Sequence, residues 1–317
     1  MKKALVVGVD SYQYQNRLNG CVNDAYQVSN VLSRHGDGTK NFDVNLVVST
    51  SPDTHLSRKD LKDKVTELFR DKSDIALFYF SGHGYVESTG GYLCPSDCQI
   101  GDDGLPMNDI MTILSTSLAT NKIIILDCCH SGKIGSSTSN QYQSILTEGT
   151  TILTASGAEQ YAVEENGSGI FTSLLIDAMN GSASNLVGEI TPGSIYAHID
   201  QSLGAWEQRP IFKSNVRTFT SLRKVASPIF LEDLKRITEL FPQLGQDFNL
   251  DPSFEPTSSE ANEENVAKFK ILQKFRSVNL VVPIDSEHLY FAAMDSKACK
   301  LTILGEHYWK LVKKDRI

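Results

Sequence analysis

A histidine in Ser81-Gly82-His83-Gly84 and a cysteine in Asp127-Cys128-Cys129-His130-Ser131-Gly132 are the residues of this sequence best equipped for chemistry. An imidazole held beside a thiol favours the thiolate and later returns the proton to a leaving amine. A thiolate that adds to a carbonyl creates an oxyanion, which needs donors at fixed positions. Cys129 can supply its own backbone N–H. Gly84 can supply a second, because it has no side chain to block the approach. The implied chemistry is attack of a cysteine on a carbonyl, with His83 and Cys129 as the reacting pair.

Both runs follow apolar segments, Ile75 to Phe80 and Ile123 to Leu126. These read as strands buried on both faces, so the histidine and the cysteine fall at one edge of a parallel sheet, where open α/β folds build their sites. The two residues are 46 apart in the chain, a length that suits a single crossover between neighbouring strands. Further strands are expected at Val6–Val9, Val44–Val48 and Thr151–Thr154. Helices are expected at Asn23–Leu32, Arg58–Phe69, Pro106–Leu114, Ile170–Met179 and Ile195–Leu203. This alternation predicts an α/β domain with a mostly parallel sheet flanked by helices. Residues Gly135 to Thr147, rich in Ser, Thr, Asn and Gln, read as a mobile loop beside the site.

A length of 317 residues allows one large domain and a smaller one. The formal charge of −8 argues against the chain as a whole being a nucleic-acid binder. No apolar run approaches the ~20 residues that span a bilayer, so no membrane association is expected. Ala4 to Val9 reads as a first strand rather than a signal peptide. The six cysteines, at 21, 94, 98, 128, 129 and 299, are irregularly spaced and predict reduced thiols in a cytoplasmic protein. Cys94 and Cys98 lack a second pair at zinc spacing, so no metal is expected there.

The paired motifs resemble those of caspase-like cysteine peptidases of clan CD, peptidase family C14, nearest to metacaspases and bacterial orthocaspases. The Gln-Ala-Cys signature of animal caspases is absent. The resemblance covers about residues 1 to 220 and implies a caspase-hemoglobinase-like peptidase domain at 1–222. It implies that His83 and Cys129 form the dyad, with Cys128 and His130 as neighbours. Gly20-Cys21-Val22-Asn23-Asp24-Ala25 matches a metacaspase segment, which implies a specificity pocket of Cys21, Asp24, Ser81 and Asp127. Two carboxylates in a cleft suit a cation, and arginine can engage them bidentately, so cleavage of proteins after Arg or Lys is expected. Asp24 can equally be an ordinary acid in the first turn of a helix. Some metacaspases bind calcium through acids that follow a Pro-x-Asp segment. Pro95-Ser96-Asp97 and Asn108-Asp109 stand there, with Asp102 and Asp103 between them, so Asp97 and Asp109 are the calcium candidates, one acid short of the pattern. The dyad chemistry itself calls for no cofactor. Lys133 is the only lysine or arginine between His130 and Thr150, and it abuts the nucleophile, which favours a protein that remains one chain.

From residue 223 to 317 a separate α+β module of winged-helix-like type is expected. Its elements are a helix at Phe230–Phe241, a linker or long loop at Pro242–Glu264, a basic helix at Val266–Phe275, strands at Val278–Val282 and Leu289–Ala293, and a helix at Leu301–Val312. Lys268, Lys270, Lys274 and Arg276, with Lys310, Lys313, Lys314 and Arg316, are either a nucleic-acid contact or a solvated face. Tyr290, Phe291, Tyr308 and Trp309 are either a binding surface or the core of a small domain. Prokaryotic caspase-like domains are often joined to sensors in defence or cell-suicide systems. The resemblance therefore implies that this module binds an activating signal, a nucleotide-like small molecule or a partner protein. Two other readings stay open: a catalytically idle scaffold with a caspase-like fold, and a DNA-binding regulator acting through the C-terminal module.

Overall fold

The computed structural model describes residues 1–128, 145–155, 164–165, 168–204 and 209–317. The loop expected at 135–147 lies mostly outside these residues, as do Cys129 and Lys133. Two compact units emerge, one of residues 1–184 and 189–225 and the other of residues 185–188 and 226–317.

The first unit is built on a six-stranded sheet. Its chain order is β1 (Lys2–Val9), α1 (Cys21–Ser33), β2 (Asp43–Ser49), α2 (Arg58–Arg70), β3 (Ile75–Ser81), β4 (Gly84–Glu87), β5 (Gly90–Leu93), β6 (Leu105–Pro106), α3 (Met107–Ser115), β7 (Asn121–Asp127) and β8 (Thr150–Thr154). There follow β9 (Glu164–Glu165), β10 (Ser168–Gly169), α4 (Ile170–Asp177), β11 (Glu189–Ile190), α5 (Pro192–Ser202), β12 (Ile211–Asn215) and β13 (Arg223–Lys224). The sheet runs β12-β8-β7-β3-β1-β2. All neighbours are parallel except β12, which runs antiparallel to β8.

Both faces of this sheet are covered, which is why its strands read as unbroken apolar runs. Alternate residues of each strand go to opposite cores. Ile75, Leu77 and Tyr79 of β3, with Ile123 and Ile125 of β7, pack with Ala25 and Val28 of α1 and Phe171 and Leu175 of α4. Ala76, Phe78 and Phe80, with Ile124 and Leu126, pack with Leu61 and Val65 of α2 and Ile110 and Leu114 of α3. The same parity carries Ser81 and Asp127, the last residues of β3 and β7, to the α1 and α4 face. Those two residues are register partners.

The second unit has its own core, in which Phe241, Phe269, Leu272, Phe275 and Leu280 are among the buried residues. Its elements are α6 (Leu231–Lys235), α7 (Ile237–Leu240), β14 (Phe248–Asn249), α8 (Glu263–Ser277), β15 (Val281–Pro283), α9 (Leu289–Met294), β16 (Ala298–Leu301) and α10 (Ile303–Lys313). Three short antiparallel strands are ordered β14-β16-β15.

Three expectations for this unit need correction. The helix expected at 230–241 is two, broken at Arg236, whose ψ of −3° departs from regular helical values. Of the two readings for 242–264, a linker or a long loop, the linker fails: the stretch is packed, supplies the two-residue β14, and buries Leu250 and Phe254 in the core. The strand expected at 289–293 is the helix α9. Leu289, Ala292 and Ala293 are buried at i, i+3 and i+4, which is helical spacing within a run too short for periodicity to discriminate.

The aromatics of this unit divide between the two readings. Tyr308 is buried and the Trp309 indole donates to the Phe241 carbonyl at 2.6 Å, whereas Tyr290 and Phe291 are half exposed. Lys268, Lys274 and Lys310 pair with Glu264, Asp233 and Glu306, so part of the basic character is neutralised within the chain.

Candidate active site

His83 lies two residues beyond the end of β3. Its backbone N–H donates to the Tyr12 hydroxyl at 2.7 Å, and the two rings approach to 4.6 Å between centroids. Its Nε2 lies 2.8 Å from the Asn16 carbonyl oxygen. A carbonyl can only accept, so Nε2 carries the hydrogen and the neutral ring keeps its lone pair at Nδ1. The protein backbone thus selects the tautomer that leaves Nδ1 able to accept a hydrogen.

Cys129 lies outside the described residues. Its place in the chain is still informative: it follows Asp127 by two residues, as His83 follows Ser81, and Ser81 and Asp127 are paired across adjacent parallel strands. Cys128, next to it, is buried among the side chains on the α2 and α3 face.

Gly84 opens β4 opposite Leu93. The Cys94 N–H donates to the His83 carbonyl at 2.9 Å, one residue outside this pair. In an antiparallel ladder that bond makes Gly84–Leu93 a non-hydrogen-bonded pair, so the Gly84 N–H is not used in the ladder with β5.

The four expected pocket residues are buried, and three of them converge. Cys21 and Asp24 sit one turn apart on α1, whose first N–H groups, those of Cys21 and Val22, donate to Asp10 Oδ1 at 3.0 and 3.2 Å. Burial pushes the Asp10 carboxyl above its ordinary range, and those two N–H donors pull it partly back. Asp24 Oδ2 accepts from the Gly169 N–H at 3.1 Å and from Ser81 Oγ at 3.5 Å. Asp127 Oδ2 accepts from Thr172 Oγ1 at 2.6 Å. A Cβ built on Gly169 would overlap Asp127 Oδ2 and come within 3.3 Å of Asp24 Oδ2, so both carboxylates close on this one glycine. Two acids from distant parts of the chain therefore converge at the tips of β3 and β7.

The calcium candidates are engaged with α2. Asp97 accepts from the Arg58 N–H at its start, and Asp109 pairs with Lys62 at 2.8 Å. Among the described residues no group of three or more His, Cys, Asp or Glu could hold a metal ion. Cys94 and Cys98 are free thiols; the Cys98 S–H donates to the Ile100 carbonyl at 2.9 Å, and donation from Cys94 to Cys98 pushes the first thiol up and the second down. Among the described residues no helix is long and apolar enough to cross a membrane.

Tyr12, Asn16, Gly169 and Thr172 escaped the sequence reading. Asn16 acts through its carbonyl, which leaves no trace in residue type, and Gly169 is one glycine among 22 with no motif to single it out. Thr172 sits in an apolar helix, where its hydroxyl gives no sign of a partner.

Comparison with known proteins bears on these features. The family model described as the caspase domain, of peptidase family C14, matches residues 1–220. Similar curated proteins include Metacaspase-1 of Plasmodium falciparum, 28% identical over 148 residues, which are 41% of this chain and 24% of that protein. Metacaspase-1 of Schizosaccharomyces pombe is 29% identical over 148 residues, 41% of this chain and 34% of that protein. Metacaspase-1 of Scheffersomyces stipitis is 30% identical over 152 residues, 41% of this chain and 36% of that protein. The matched region thus spans about a quarter to a third of these relatives' length. In fold the chain is similar to the crystal structure of protein GSU0716 from Geobacter sulfurreducens, with a TM-score of 0.52 and 15% identity over 71% of this chain and 100% of that one.

Proposed function

From a chain that belongs to the caspase-domain family, we propose a cysteine endopeptidase that cleaves proteins after arginine or lysine. The observation that carries this reading is the convergence of Asp24 and Asp127 on Gly169, beside the strand tips that lead to His83 and Cys129. Two buried carboxylates form a site for a cation, and the planar guanidinium matches them best.

His83 Nδ1 takes the proton of the Cys129 thiol, while the Asn16 carbonyl holds Nε2–H. The thiolate adds to the carbonyl carbon of the scissile peptide. The resulting oxyanion accepts from the N–H groups of Gly84 and Cys129. The C–N bond then breaks, His83 returns its proton to the leaving amine, and water hydrolyses the thioester with His83 as base. No step calls for a cofactor. The described cysteines are all free thiols, which supports action in a reducing, cytoplasmic setting. The second unit receives the activating signal, a nucleotide-like molecule or a partner protein, in a defence or cell-death setting.

Fluorogenic peptides that differ only at the residue before the scissile bond test the reading. Arg and Lys peptides are hydrolysed, Asp peptides are not, and Cys129→Ala abolishes turnover. An arginyl chloromethyl ketone labels Cys129. Preference for Asp overturns the specificity, and absence of selective labelling points to an idle scaffold.

A further inference from the structure

Thr172 and Tyr79 are fully buried and form a chain that ends on one pocket carboxylate. Thr172, in the first turn of α4, lies 2.6 Å from Asp127 Oδ2, and the Tyr79 hydroxyl lies 2.6 Å from Thr172 Oγ1. A threonine hydroxyl has one hydrogen, and an ionised carboxylate can only accept. That hydrogen therefore points at Asp127, and Tyr79 must donate to Thr172. Burial, with Asp127 and Asp24 near, holds the Tyr79 phenol protonated well above its ordinary range, as a donor requires. The chain runs one way, from phenol to hydroxyl to carboxylate, and each bond polarises the next.

We propose that Thr172, backed by Tyr79, is a positioning residue that fixes the plane of the Asp127 carboxylate and thereby sets the preference for arginine over lysine. The proposal rests on the specificity reading given above. α4 and its cap residue seat both acids: Gly169 donates its N–H to Asp24, and Thr172 donates its O–H to Asp127. The missing Cβ at Gly169 leaves the space into which both carboxylates reach. A guanidinium binds a carboxylate through two parallel N–H bonds and needs its plane aligned, whereas an ammonium is a rotatable point charge that tolerates misalignment. Holding Asp127 in place before substrate arrives thus favours arginine more than lysine.

The test compares paired Arg and Lys peptides on the full chain carrying Thr172→Val, Thr172→Ser or Tyr79→Phe. Thr172→Val raises KM for the Arg peptide about tenfold and for the Lys peptide no more than about threefold, the difference expected from losing one hydrogen bond to a charged group. Its kcat changes by less than about twofold, because Thr172 touches no reacting atom. Thr172→Ser restores the wild-type ratio. Tyr79→Phe shifts the ratio the same way by a smaller factor, and it decides the matter if Thr172→Val does not fold. Iodoacetamide labelling of Cys129 at the wild-type rate certifies each variant as folded. An unchanged Arg-to-Lys ratio in Thr172→Val, an equal loss on both peptides, or failure of serine to rescue overturns the positioning role while leaving the basic specificity intact. A wild-type protein that cleaves a matched Asp peptide in preference to both overturns the specificity reading itself.

Discussion

Tyr12 holds His83 by two independent means, a hydrogen bond to its backbone N–H and a ring contact at 4.6 Å. The first fixes where the residue sits and the second limits how the imidazole tilts, while the Asn16 carbonyl fixes which nitrogen is protonated. Tyr12→Phe keeps the ring and removes the acceptor. It should lower kcat about three- to tenfold with KM nearly unchanged, and lower the urea stability of the first unit by about 1 kcal/mol. Steady-state kinetics and denaturation curves read both, and an unchanged kcat would show that Tyr12 is only a packing residue. The thiols differ for equally local reasons. Burial pushes Cys299 up to about 12. A cysteine in that condition is inert to alkylating agents at neutral pH, which makes it a quiet background for labelling elsewhere.

At the level of elements, the site depends on how closely α1 lies against β1. A Cβ on Gly8 would overlap the Cys21 carbonyl and stand 2.7 Å from Ala25 Cβ. Gly8 therefore lets the helix that carries Cys21 and Asp24 settle onto the sheet. Gly8→Ala must push α1 outward and Asp24 with it. The expected result is a loss of about 1–3 kcal/mol in unfolding free energy and a higher KM for basic peptides, measured by urea titration and kinetics. A variant as stable as the parent would mean that α1 can shift without penalty.

Much of this level was legible in the sequence. The strands under His83 and Cys129 are apolar on both faces, and that pattern has few other readings. The candidate pocket acids, Asp24 and Asp127, were implied by the resemblance to metacaspases. What the sequence withheld was contact through the backbone, as with Asn16 and Gly169, and the conformation of short apolar runs such as Leu289 to Met294. There, burial on one side decided between strand and helix.

The whole molecule contains two units with separate cores, one around the six-stranded sheet and one around Phe269 and Phe275. Separate cores predict separate unfolding. Calorimetry of the full chain should resolve two transitions, and covalent occupation of Cys129 by an arginyl chloromethyl ketone should raise only one of them. A single transition that moves as a whole would show that the two cores melt together.

The pairing of Ser81 with Asp127 also decides when, during folding, the candidate site first exists. Ladder pairing alone brings the neighbourhoods of His83 and Cys129 together, across 46 residues of intervening chain. A slip of one residue between β3 and β7 would turn the alternate side chains of one strand to the wrong face and carry Asp127 away from Thr172. A nascent or misthreaded chain therefore lacks the assembled candidate site, which first exists when the middle of the sheet closes in register.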